Sequence, residues 1–158
     1  MKFGATVFLR VVLVLLGIGV LAFLLIEPQF EGVNAHATFF EIYFKDPFLA
    51  YVYVAAVPFY FGLYHAIRLL ALAGRSNEFS PSAVRSVRII KYCAIALMGF
   101  VAGAEIIIVS HESDDRAGGV MMGVFIFFVS LVVASAMTVL ERVLQNAVDM
   151  KSENDLTV

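Results

Sequence analysis

Charge is what this sequence has least of. Asp, Glu, Lys and Arg make up 15% of its 158 residues, against about a quarter in ordinary soluble domains. Hydrophobic residues make up 61%, and the mean hydropathy is +0.92. That balance excludes a water-filled surface over most of the chain. A net charge of −2 carries no basic surplus, so no direct nucleic-acid partner is expected. Cysteine is nearly absent. Cys93 alone excludes an internal disulfide framework and a cysteine-rich metal site, and its place inside an apolar run fits a small packing residue. There is no glycine-rich phosphate loop, no H-x₃-H ligand pair and no ordered His, Ser and Asp set. Enzyme activity, a cofactor and a metal centre are therefore not expected.

What is present is a set of long apolar runs. A helix needs about 20 mostly apolar residues to cross the hydrocarbon core. Four intervals qualify: residues 11–26, 47–67, 92–110 with Glu105 as the one interruption, and 117–140. The first reaches spanning length when the apolar residues 3–9 are added and Arg10 snorkels to the near interface. The runs are continuous rather than alternating, which argues for helices and against barrel strands. The expected fold is an all-α integral membrane protein, a single four-helix transmembrane domain over residues 1–158. Its helices are expected at about 4–26, 47–73, 81–110 and 117–148, with an outer loop at 27–46 and a tail at 149–158. A cleaved signal peptide competes for the first run, since Ala35-His36-Ala37 has the small-residue pattern of a cleavage site. The run is longer than the usual signal core, however, and Pro28, Glu27 and Glu31 separate it from that tripeptide.

Basic residues set the expected orientation. With both termini in the cytoplasm, Lys2, Arg10, Arg68, Arg75, Arg85, Arg88, Lys91, Arg142 and Lys151 lie inside, and only Lys45 and Arg116 lie outside. The outer side gathers Glu27, Glu31, Glu41, Asp46, Glu112, Asp114 and Asp115. This is the positive-inside pattern of a multi-pass membrane protein with its termini in the cytoplasm.

Between the first two spans, Phe39, Phe40, Tyr43, Phe44, Pro47 and Phe48 recur at helical spacing. They fit either a short helix in the headgroup layer or an aromatic belt, and both touch membrane lipids. On the inner side, Gly74 suits a helix C′ position, Ser80-Pro81 reads as N-cap and N1, and Phe79 with Val84 would form a hydrophobic staple. Arg75, Arg85, Arg88 and Lys91 around this start are either positive-inside anchors or a docking surface for a cytoplasmic protein. The last span is expected to continue as an amphipathic helix with Leu140, Val143, Leu144 and Ala147 as its apolar stripe and Glu141, Arg142, Gln145 and Asn146 on its polar side. That stripe should lie against the inner ends of the second and third spans, and the polar residues after 149 should be loosely ordered.

Several of these segments together carry a resemblance. Pro58-Phe59-Tyr60, Phe79-Ser80, Ile90-Lys91-Tyr92-Cys93-Ala94, Val143-Leu144-Gln145-Asn146-Ala147 and the terminal Lys151-Ser152-Glu153-Asn154-Asp155-Leu156-Thr157-Val158 resemble the domain-of-unknown-function 2975 family of small bacterial membrane proteins. The resemblance runs over nearly the whole chain and is most specific in the tail. It implies no catalytic residues. Members are often encoded beside a small helix-turn-helix regulator, which suggests a membrane component whose state is relayed to that regulator. An acidic outer loop before the last span is also implied, and His111-Glu112-Ser113-Asp114-Asp115 matches it.

Glu105 is the one ionisable residue deep in an apolar interval. Such a carboxylate is costly to bury unless paired or protonated, so it is either a cation or proton site or a helix-packing contact. Tyr51, Tyr53 and the backbone near Gly119 and Gly123 are its expected neighbours. Gly99 and Gly103 form a GxxxG pair, and Ser130, Ala134 and Thr138 form a similar ridge; both serve close helix packing, within one chain or in a homo-oligomer. His36 and His111 with the outer acidic residues read either as a metal cluster or as a solvated loop, and Asp115 complements the dipole of the last helix. Three functions follow in order of preference: a regulatory partner of a cytoplasmic helix-turn-helix regulator, a lipid-interacting or immunity-type membrane protein, and a small oligomeric transporter using Glu105.

Overall fold

A computed structural model describes residues 3–30, 38–44, 47–73, 80–110 and 116–156. Five helices form, α1 (Phe3–Phe30), α2 (Phe39–Phe44), α3 (Pro47–Ala73), α4 (Pro81–Ser110) and α5 (Arg116–Leu156). All but α2 are long and apolar enough to cross a membrane. The four spanning helices are those the uncharged intervals predict.

Their arrangement is a row. α1 packs on α3, α3 on α4 and α4 on α5, while α1 has no extended contact with α4 or α5 among the described residues. The register makes each neighbouring pair antiparallel. Arg10 and Gly17 of α1 meet Leu70 and Leu63 of α3, Gly62 of α3 meets Cys93 of α4, and Gly119 of α5 meets Ile108 of α4. Cys93 thus packs where a glycine lets α3 and α4 approach closely.

Local chemistry explains the ends. Ser80 caps α4, its Oγ accepting from the Ala83 amide at 3.3 Å and its carbonyl from Ala83 and Val84 at 2.9 and 3.2 Å. Thr38 and Glu41 form a capping box at α2, Glu41 Oε2 accepting from the Thr38 amide and hydroxyl at 3.0 and 2.8 Å. That helix buries Ile42 and Tyr43 and leaves Phe40 out.

Two helices outrun their expected ends. α1 passes through Pro28 to Phe30 instead of stopping near residue 26. Proline removes the amide that would bond the carbonyl four residues back. That carbonyl belongs to Leu24, and the Tyr53 hydroxyl of α3 donates to it at 3.1 Å. α5 continues to Leu156 instead of ending near 148. Its last turns hold local bonds from Gln145 to Asp149 and from Ser152 to the Asp149 carbonyl. At 41 residues it is about 60 Å long, roughly twice the hydrocarbon thickness.

Deep burial is concentrated at the end where the basic residues gather. Ala83, Val84 and Val87 of α4 and Leu144 of α5 form a buried cluster, with Leu69, Leu72, Met137, Leu140 and Val148 against it. The apolar stripe of the α5 extension is therefore Met137, Leu140, Leu144 and Val148. Val143, expected in it, is 56% exposed. The reason is period: the contacts on α5 recur at Gly123, Ser130, Ala134, Met137, Glu141, Leu144 and Val148, a seven-residue repeat that drifts away from Val143.

Candidate functional site

The same repeat governs α4. Val84, Val87, Lys91, Ala94, Met98, Val101, Glu105 and Ile108 alternate steps of three and four. Two ionisable residues therefore occupy the α4 seam, Lys91 and Glu105, two heptads and about 21 Å apart along the axis.

Lys91 meets Glu141, the polar member of the α5 seam, with Nζ to Oε2 at 2.6 Å. Arg88 Nε completes the arrangement on Oε1, also at 2.6 Å. Lys91 Nζ further lies 4.9 Å from the centre of the Tyr92 ring. The side chains of Glu141 and Lys91 are 15% and 17% exposed, while Arg88 stays 52% exposed. Hydrogen bonds from Lys91 and then Arg88 hold the Glu141 carboxyl below the usual carboxylate range. The expected cytoplasmic docking surface is thereby altered. Lys91 and Arg88 are committed to a bond within the chain, Arg85 remains exposed, and Arg75 lies outside the described residues. Sequence reasoning missed Glu141 by placing it on the polar side of α5.

At the far end of the seam, Glu105 lies on Gly123. A Cβ at position 123 would collide with the carboxylate, and its Cδ would be 2.8 Å away. Glycine supplies the space that the carboxylate fills. Glu105 Oε1 is buried without a hydrogen-bond partner among the described residues. The expected neighbours separate. Gly123 touches the carboxylate, whereas Gly119 packs on Ile108. Tyr51 donates to the Phe100 carbonyl at 2.7 Å and covers Gly103. Tyr53 is not part of this group, since it faces α1 and bonds Leu24.

The GxxxG pair also divides. Gly103 seats Tyr51, but Gly99 has no neighbour among the described residues within 4 Å of a Cβ built on it. Ser130 and Ala134 are buried, and Thr138 Oγ1 donates to the Ala134 carbonyl at 2.8 Å.

Polar side chains also hold α1 to α3. Tyr60 donates to the Gly17 carbonyl at 2.9 Å, Arg10 Nη2 to the Leu70 carbonyl at 3.0 Å, and Tyr53 to Leu24. Tyr43 of α2 donates to the Leu25 carbonyl. Carbonyls keep a second lone pair after the helix bond is made, which is why one helix can serve as acceptor for another's tyrosines. His65 is buried with Nδ1 unpartnered among the described residues, its ring edge-on to Phe61 and Tyr64. No group of three His, Cys, Asp or Glu gathers among the described residues; His36 and residues 111–115 lie outside them.

Comparison with known proteins agrees with the resemblance read from the sequence. A family model described as a protein of unknown function (DUF2975) matches residues 33–158. The uncharacterized membrane protein YoaS of Bacillus subtilis (strain 168) is 40% identical over 156 residues, 98% of each chain. No solved structure matches.

Proposed function

The chain belongs to the DUF2975 family and is a membrane protein, and on that premise we propose that it is a non-enzymatic regulatory component of the bacterial cytoplasmic membrane, its basic end docking a cytoplasmic helix-turn-helix regulator. Both termini are cytoplasmic in this reading, because nine of eleven basic residues then lie inside.

One observation carries the proposal. The buried apolar cluster, Ala83, Val84, Val87 and Leu144, lies beyond the uncharged intervals of α4 and α5. Within lipid, apolar burial drives little helix association because the tails are as apolar as leucine. In water it is the main driving force. A core placed there builds a rigid water-facing platform, from which Arg85 and the last turns of α5 project. Simple anchoring needs no such platform. The class of partner comes from the resemblance.

Capture from detergent-solubilised membranes tests the reading. The regulator encoded nearby should co-purify with the intact protein, and deletion of residues 150–158 or Arg85→Glu should reduce recovery at least fivefold. Failure to recover any such regulator with the tail intact rejects it. Orientation has its own control in a Cys93→Ser background: an impermeant thiol reagent applied to intact cells should label Asn34→Cys and spare Ser76→Cys.

A lipid-interacting role is the reading next in order, and the apolar grooves described below favour it over transport. A transport role for Glu105 needs a second copy, because four helices in a row enclose no pathway.

A further inference from the structure

Two apolar grooves run along one face of the helix row, and they share a wall. One lies between α1 and α3, about 520 Å³, and is lined by Leu21, Ala56 and Tyr60 among others. The other lies between α3 and α4, about 450 Å³, and is lined by Pro58, Cys93 and Ala96 among others. Val57 and Phe61 line both and stand 64% and 53% exposed as a ridge between them. Along α4 the second groove extends from Ile89 to Phe100, eleven residues or about 16 Å, close to the half-thickness of a bilayer's hydrocarbon.

Both grooves end toward the basic end of the molecule. Tyr64 ends the first, and Ile89 with Tyr92 lines that end of the second; both tyrosines are about 60% exposed. One turn beyond Tyr64 on the ridge face comes Arg68, and one turn before Ile89 comes Arg85. Gly62 of α3 meets Cys93 of α4, and in that antiparallel register Arg85 of α4 falls level with Leu70 of α3, within a turn of Arg68. So Arg68 and Arg85 flank the foot of the ridge. Neither has an ion pair among the described residues, in contrast to Arg88 and Lys91.

We propose that this face holds one anionic two-chain phospholipid, an acyl chain in each groove astride Val57 and Phe61 and the phosphate between Arg68 and Arg85. Two parallel apolar channels joined at a cationic end match the shape and charge of that molecule. A partner helix would fit poorly, since it would meet a ridge where it needs a groove. The site shares Arg85 with the proposed docking platform, but lipid retention by the purified protein needs no regulator and does not depend on which way the chain faces.

Native mass spectrometry of the detergent-purified protein tests this with phosphatidylglycerol, phosphatidylcholine of the same chains, and lyso-phosphatidylglycerol. One phosphatidylglycerol should be retained in preference to both others. Removing an arginine should weaken retention about fivefold, from about 1 kcal/mol per basic side chain at an anionic surface. Arg68→Gln with Arg85→Gln should therefore lose it almost entirely, whereas Arg68→Lys with Arg85→Lys should keep it. Ala96→Phe should fill one groove and lower affinity for the two-chain lipid toward that of the lyso form. Equal retention of phosphatidylcholine, full retention in the glutamine pair, or equal binding of the lyso form would each overturn the assignment. So would a lipid-free dimer lost on Val57→Glu, which would give the face to a second copy. Thermal midpoints of the lysine and glutamine pairs, expected to agree without added lipid, separate lost binding from lost folding.

Discussion

Tyr53 donates its hydroxyl to the Leu24 carbonyl, the one that Pro28 leaves without its helical amide. A proline in one helix is thus compensated by a tyrosine of the next, and the pair fixes the register of α1 on α3.

That coupling is measurable. Tyr53→Phe should destabilise the protein by about 1 kcal/mol, the ordinary worth of a net hydrogen bond. In a Pro28→Ala background the new amide satisfies Leu24, and the same substitution should cost clearly less. A double-mutant cycle on thermal or denaturant unfolding in detergent reads the difference; costs that simply add would show that the hydroxyl does not serve the proline.

Gly123 and Glu105 should behave as a matched pair. Gly123→Ala puts a methyl where the carboxylate sits and should cost about 1–3 kcal/mol by overpacking. Glu105→Ala in addition should recover most of that loss. If Gly123→Ala is neutral alone, the carboxylate has room to move and the seam is looser than described.

The Lys91 and Glu141 pair should couple by about 1 kcal/mol, between the values of exposed and fully buried pairs. Glu141→Gln should destabilise more than Arg88→Gln, since Arg88 is the more exposed partner. The folded-state pKa of Glu141 is lowered, so its contribution is complete above the unfolded-chain value of about 4.3 and is lost as pH falls through the lower folded value. The wild-type melting temperature should accordingly drop more between about pH 6 and pH 3 than that of Glu141→Gln; parallel curves would contradict the pairing.

Gly99 and Gly103 should part company under the same substitution. Gly99→Ala meets open space and should be neutral or stabilising by up to about 1 kcal/mol, as expected when a helical glycine gains a methyl. Gly103→Ala must displace the Tyr51 hydroxyl and should destabilise. A loss of oligomer mass in Gly99→Leu, measured by light scattering, would instead assign Gly99 to contact between chains.

The spans were legible because the cost of charge in lipid leaves its mark directly on composition. Ser80-Pro81 was legible for a similar reason, capping being a local event. What escaped needs knowledge of the neighbour. Glu141 looks like surface until the seven-residue repeat is followed from Gly123 to Val148, and that repeat is hard to see where its upper members are small and its lower ones large. Depth alone places Tyr53 beside Glu105, although Pro28 already implies an orphaned carbonyl at Leu24. The grooves have no sequence signature, because their walls are ordinary apolar residues of three helices.

The single-file order of the helices also fixes which losses the molecule can survive. Among the described residues α1 has extended contacts with α2 and α3 alone, and the family model begins after it, at residue 33. Removing an outer member of a row exposes one flank and leaves every other joint intact, whereas cutting out α3 or α4 would leave pieces with nothing to hold them together.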